Sequence, residues 1–466
     1  MDDHKVRIFS LYLQAMTAKN RLGLFDFTMI VVSLVIGMGI FRTPANVAAA
    51  SPTPLIFFIA WIAGGLVALC GALTYAEIGS RLPVMGGYYK VFSYAYHPSI
   101  AFGINCIILV SNAASGAAVA LVGSEYITSV IIPDAKDANY IQTVHISIAL
   151  AAIVIFYGIN MLGLRLSAKT QTVLTIIKIG LVLLLITPLF FASGAASPSS
   201  SLISSSLDPG FMEYIKAFGI GLVAVSFTYG GYQQTINFGS EVDKPNRNIP
   251  RGIFMGIFII ITLYLTINYA YVHVIGFEEL KTSKNIAAIM ASKIFGINAE
   301  RILSVLLFLS VLAYINVLLL SNPRVMVAMS EDKILPAAFQ KRNSRGALTL
   351  ALTVFAGLAA IIVFWAKEFD TLLSFTIFLD CFGMVLSAGS IFIIRKRTAH
   401  LNGTGIYSMK LYPLLPLIFI AAYSFVAISL LINETKLSLI GLGVLAGFIA
   451  LYFVVRAVKP TGQTNS

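Results

Sequence analysis

The stretch MIVVSLVIGMGIFRTPANVAAA, residues 29–50, decides the fold. It is apolar and long enough to cross a bilayer, for which about 20 residues suffice. Yet Gly37-Met38-Gly39 sits near its middle, and Arg42-Thr43-Pro44 follows. Glycine weakens a helix, and proline cannot donate a backbone bond. In lipid, a broken helix leaves N–H and C=O groups unpaired at a cost of several kcal/mol each. Such a break survives where it lines a cavity or binds something. A second apolar span, residues 214–240, carries Phe227-Thr228-Tyr229-Gly230-Gly231, again near its middle.

Working outward, the chain is 466 residues long, 58% hydrophobic and only 11% charged. Soluble domains run at about 25% charged. This excludes a water-soluble enzyme and a disordered chain. The net charge of +12 could suggest nucleic acid, but the basic residues lie mostly in short segments between apolar spans. Twelve spans are expected, at about 25–50, 54–79, 99–132, 141–162, 168–192, 214–240, 252–276, 302–329, 347–366, 370–394, 411–432 and 437–457. The runs do not alternate as barrel strands do, so the fold class is all-α membrane protein. Residues 1–24 lack the apolar core of a signal peptide and read as a cytoplasmic segment. Residues 25–457 are expected to form one transmembrane domain, and 458–466 a second cytoplasmic tail. With the N-terminus inside, 22 of the 32 Lys and Arg fall on inner segments and 8 on outer ones. That is the bias expected of cytoplasmic loops. The Ser-rich segment 194–210 reads as a flexible outer loop.

The two breaks lie five spans apart. Interruptions at corresponding positions of two halves point to a transporter site at the membrane midplane. Half-helix N-termini offer N–H donors and a positive dipole end to an anion. Half-helix C-termini offer carbonyls to a cation. An α-amino acid carries both charges on one carbon, so the geometry suits amino acids. The competing reading is that the glycines only let helices pack closely.

At these residues the chain resembles the amino acid–polyamine–organocation superfamily, nearest the L-type amino acid transporter branch and its bacterial relatives. The resemblance rests on VIGMGIFRTPAN (35–46), on Tyr75-Ala76-Glu77-Ile78-Gly79 with Leu82-Pro83 and Gly86-Gly87, on FTYGGYQQTINFGSEVDKPNRNIPRGI (227–253) and on NPRVMVAMSEDKILPAAFQKRN (322–343). It implies a leucine-transporter-like fold of two inverted five-helix repeats, about 25–192 and 214–394, with two further helices at about 411–457. It also implies a substrate site at Val35, Ile36, Gly37, Met38, Gly39, Ile40, Phe227, Thr228, Tyr229 and Gly230. The substrate carboxylate would meet the N–H groups of Met38, Gly39 and Ile40, and the ammonium the carbonyls of Val35, Phe227 and Gly230. Phe227 would be an aromatic lid. Two departures touch the side-chain pocket: Met38 stands where the family usually has serine, and Tyr232-Gln233 where the branch often has Trp-Asn.

Lys178 lies about ten residues from each end of its span. A charge there costs about 2.5 kcal/mol or more and marks a functional candidate. The resemblance implies a sodium surrogate that bonds carbonyls of the first break. A lysine that keeps its charge suits exchange or facilitated transport; one that titrates suits proton symport. Other charges near or within spans are Arg42, which could line the entry path or pair with Glu125, and Asp380, a proton site or the partner of a polar neighbour. Glu77, Glu241 and Asp243, with Arg81, Arg247 and Arg324, suggest an ion-pair network at the inner side that holds one state closed.

No nucleophile–base set is recognisable, so an enzyme is not expected. The five histidines are scattered, and Cys70, Cys106 and Cys381 have no metal or disulfide spacing. No metal, cofactor or nucleic-acid partner is therefore expected. In animal L-type transporters a cysteine between spans 3 and 4 links a glycoprotein; IIPDAKDANY (131–140) has none, so no disulfide-linked heavy chain is expected through that loop. Short loops suggest a bacterial inner membrane. Alternatives in function are a polyamine or other amine carrier of the same fold, and a homologue that senses an amino acid without moving it.

Overall fold

A computed structural model describes residues 21–133, 136–191, 210–283, 286–295, 299–364, 369–433 and 435–458. The N-terminal segment up to residue 20, the tail from 459 and all but the last residue of the Ser-rich loop lie outside the described residues. The first span is α1 (Leu24–Val35) and α2 (Gly39–Ala50), bent by 41° at the break between them. There follow α3 (Pro54–Arg81), α4 (Gly87–Ala95), α5 (Pro98–Ile131), α6 (Ala138–Met161), α7 (Leu164–Ile186) and α8 (Phe211–Tyr229). Beyond α8 the chain passes into 3₁₀ turns at Tyr232–Asn237 and Gly239–Glu241. The rest comprises α9 (Pro245–Val274), α10 (Phe277–Thr282), α11 (Ile286–Phe295), α12 (Ala299–Glu331), α13 (Thr349–Val363), α14 (Phe369–Arg397), α15 (Leu414–Asn433) and α16 (Thr435–Val458). Among the described residues nine helices are long and apolar enough to cross a membrane, ten when the bent pair is taken as one span.

Proline starts several of these helices, because its missing N–H falls among donors that lack a partner at any N-terminus. Pro54, Pro98 and Pro245 do this for α3, α5 and α9, and Asp137 caps α6 through the Asn139 N–H at 2.9 Å. Leu55, Leu66, Ile155, Phe258, Ile361 and Ile432 are exposed on the outside, as a lipid-facing belt requires. Lipid supplies no hydrophobic drive between helices, so small residues allow close approach instead. A Cβ on Gly256 of α9 would lie 2.5 Å from Val31, and one on Gly123 of α5 would lie 2.6 Å from Val311 of α12. Helix α3 packs on α9, α5 on α12 and α6 on α13, and α2 meets α8.

Two elements depart from the expectations above. The short helix α4 stands between the second and third spans, where none was expected; its N-cap Gly86 adopts φ +62°, and a Cβ there would meet the Arg324 carbonyl at 2.5 Å. The sixth span does not break across 227–231 as a whole. The α-helix runs through Phe227, Thr228 and Tyr229 and ends at Gly230–Gly231. Gly231 takes φ +108°, a conformation that only glycine adopts without strain.

Candidate functional site

At the first break, α1 closes with the Ile36 N–H on Val32 O at 2.8 Å and the Gly37 N–H on Val35 O at 2.8 Å. The N–H of Phe41 bonds Met38 O at 3.1 Å. Met38, Gly39 and Ile40 thus open α2 with N–H groups that have no intrahelical acceptor, as at any helix start. At the second break, Gly230 N–H reaches Phe227 O at 3.1 Å, and Gly231 N–H reaches Gln233 Oε1 at 2.9 Å.

The breaks interlock. A Cβ on Gly231 would lie 2.2 Å from Leu34 O, and one on Gly39 would lie 3.1 Å from the Thr228 hydroxyl. Both borders open on a single cavity of about 470 Å³. Val35, Gly37, Met38, Gly39, Phe227, Thr228 and Gly230 line it, as do Arg42 and Asp380. Ile36, Ile40 and Tyr229 are not among its lining. Ile36 and Ile40 are fully buried in the core. Tyr229 turns away, its ring 6.0 Å from Trp61 and 5.1 Å from Tyr264.

Lys178 is fully buried, and its Nζ donates to Ile36 O at 2.5 Å, with Ser33 Oγ at 3.4 Å. Three α7 residues spaced by three tie α1: Thr172 to Asp26 at 3.0 Å, Thr175 to Met29 O at 3.4 Å, and Lys178. Behind them Gln171 bonds Ser33 at 2.5 Å and Ala313 O at 3.0 Å, and Asn316 bonds Gln171 at 2.7 Å. Asn160 then joins Asn316 at 2.8 Å. A second buried set links Gln234 to Asn112 and Asn112 to Asn322, at 3.1 and 2.7 Å. These asparagines and glutamines are not among the candidates named from the sequence. Amides inside apolar spans were the available signal, since a buried amide needs partners.

The cavity extends toward Lys281, Thr282 and Ser283 at the end of α10. Away from the cavity lie two buried ion-pair clusters. Glu77, fully buried, accepts Arg81 at 2.7 Å, Arg395 at 2.6 and 2.7 Å, and the Met409 N–H at 2.8 Å. Glu241 accepts Arg324 at 2.5 Å, and the Arg324 guanidinium lies 4.5 Å from the Phe238 ring centroid. Leu22 pairs its backbone with Glu241 and Asp243 at 2.8 and 2.9 Å, which ties the start of α1 to the end of the 3₁₀ segment. Asp243 also faces Arg21 at 3.9 Å. Arg247 is exposed at the start of α9, outside both clusters, while Arg395 enters one unforeseen. Arg42 is exposed at the cavity's other end, where its charge acts on Glu125. Among the described residues no group of three or more His, Cys, Asp or Glu could hold a metal ion.

A polytopic helical bundle whose two interrupted helices border one central cavity has the build of a membrane permease. The chain belongs to the amino acid permease family, whose model matches residues 22–455. It is 29% identical to a serine/threonine exchanger of Bacillus subtilis, over 93% of this chain and 95% of that one. It is 25% identical to the human large neutral amino acids transporter small subunit 2 (94% and 80% covered) and 23% to the mouse Asc-type amino acid transporter 1 (94% and 81%). It is therefore a multi-pass membrane protein and a transporter rather than an enzyme.

Proposed function

We propose that the protein carries L-amino acids across the membrane by sodium-independent alternating access, in exchange or facilitated mode. The observation that carries this reading is the meeting of the two breaks at one cavity. The N–H groups of Met38, Gly39 and Ile40 receive the substrate carboxylate at the positive end of α2. The ammonium goes to the carbonyls of Phe227 and Gly230. Val35 O already takes two donors, Gly37 N–H and the Tyr264 hydroxyl at 3.1 Å, which fill its two lone pairs in this conformation. Phe227 closes the cavity toward α10.

Lys178 supplies, at Ile36 O, the cation that a sodium ion would otherwise bring. Helices α1 to α7 and α8 to α14 form the inverted repeats, and twelve crossings result when α8 and α13 each count as one. The basic face is cytoplasmic, as are both termini, in a bacterial inner membrane. The Glu77 and Glu241 clusters lock that face. No heavy chain is disulfide-linked through the α5–α6 connection, since none of the three cysteines lies there.

The test is uptake of a panel of labelled amino acids into proteoliposomes, with and without internal amino acid, sodium and a pH gradient. Saturable uptake accelerated by internal amino acid, at equal rates in sodium and choline, is expected. A requirement for a sodium gradient overturns the coupling. The absence of uptake and counterflow for every amino acid, with binding retained, assigns a sensor instead.

A further inference from the structure

We infer that Asp380 reads the substrate side chain, so that the carrier selects amino acids whose side chain carries a hydrogen-bond donor. The inference rests on the amino acid reading above and adds the specificity to it. Asp380 belongs to α14, which packs with α3, α5 and α15. Both breaks and Asp380 border the same cavity. The backbone of the breaks serves the charges on the α-carbon, which every amino acid shares. Discrimination must then come from side chains on the remaining walls.

Most polar groups on those walls are already committed. The Tyr314 hydroxyl pairs with Ser115 at 3.1 Å, and the Tyr423 hydroxyl donates to Ser226 O at 3.5 Å. Asn112 donates to Asn322 and accepts from Gln234. Of the cations bordering the cavity, Lys281 bonds Glu278 at 2.8 Å, and Arg42 acts on Glu125. Lys178 is bound to Ile36 O.

Ser226 Oγ and Gln234 Oε1 on the same walls also lack a partner among the described residues, but neither carries the charge that the Asp380 carboxyl does. That carboxyl is partly open to the cavity, and among the described residues no donor or cation engages it. The ionisable groups around it are Tyr88, Cys381, Tyr314 and Tyr423, and none carries a positive charge. Once a substrate fills the cavity and displaces water, an acceptor left without a donor is costly, and a ligand that supplies the donor removes that cost. A site built to bond a substrate hydroxyl or ammonium strongly rejects the analogue that lacks it, because the buried polar group is then left unpaired. An aliphatic side chain would leave Asp380 unanswered, and an acidic one would repel it.

The test compares two pairs of near-equal shape, threonine against valine and lysine against norleucine, in proteoliposomes holding the unmodified protein, Asp380→Asn or Asp380→Glu. The unmodified carrier is expected to prefer the donor-bearing member of at least one pair, and which pair it is separates a hydroxyl from an ammonium ligand. Asp380→Asn should cut that preference about 10- to 100-fold, the range set by one hydrogen bond to a charged group. Asp380→Glu, which keeps the charge, should keep part of it. Competition by the four amino acids on the unmodified protein reads the same preference if a variant does not fold. Equal preference for both members of both pairs, or an Asp380→Asn variant with unchanged ratios, overturns the inference. So does loss of pH-driven accumulation with ratios intact, which would make Asp380 a proton site. If the unmodified protein moves no amino acid at all, the underlying carrier reading fails instead.

Discussion

At Ile36–Met38 two α-helices meet nearly end to end, whereas at Gly230–Gly231 an α-helix passes into 3₁₀ turns. The groups freed at the second break find partners within eight residues: Phe227 O, the Gln233 side chain, and Tyr232 O, which takes the Thr235 hydroxyl at 2.6 Å. At the first break, two of the freed carbonyls also take donors from far along the chain. Ile36 O takes Lys178, 142 positions away, and Val35 O takes Tyr264, 229 positions away. The second break is thus a local structure limited by space. The first depends on α7 and α9 staying where they are, so it can sense their movement.

The sharpest way to break this contrast is Lys178→Ala. It removes the charged donor that Ile36 O has among the described residues and leaves that buried carbonyl without it. Uptake should fall about 10- to 100-fold, since a charged hydrogen bond contributes about 1.5–3 kcal/mol and each 1.4 kcal/mol is tenfold. Initial rates in proteoliposomes, with monodispersity in detergent as the control for folding, give the answer. Unchanged rates would make the first break as self-contained as the second.

Gly231→Ala probes the opposite property. The new methyl would press on Leu34 O, and the residue would be held at φ +108°. A stability loss of about 1–3 kcal/mol from the backbone alone is expected, read as a lower thermal midpoint in detergent. A midpoint equal to that of the unmodified protein would show that the breaks do not interlock as tightly as described. The smallest effect belongs to Tyr264→Phe, which removes one neutral hydrogen bond from Val35 O. About 0.5–1.5 kcal/mol, or a two- to tenfold loss of uptake, is expected. Because Val35 O would gain a free lone pair, affinity for the substrate ammonium, measured by equilibrium binding, separates a positioning effect from a loss of contact.

Much of the architecture was legible in the sequence. Apolar runs of about 20 residues can satisfy their backbone in lipid only as helices. The glycine pairs in the first and sixth spans marked where that rule is suspended. Lys178 was legible as an outlier in charge, and Glu241 and Arg324 as opposite charges expected near one membrane face. Less legible were Arg395 on Glu77, the amide chain from Gln171 to Asn160, and Tyr229 turning away from the cavity. Each depends on which side of a helix faces which neighbour, and these helices have apolar residues almost all round, so periodicity carries little direction.

By itself, then, the sequence determined the class, the location of the two interruptions and the charges costly enough in lipid to need a reason. Only the tertiary structure decided that the interruptions touch each other, that Lys178 holds Ile36 O, and that Asp380 faces the same cavity with no donor among the described residues. The physical reason is that a backbone group freed in lipid must be satisfied somewhere, and the chain's local pattern does not say which distant residue does it.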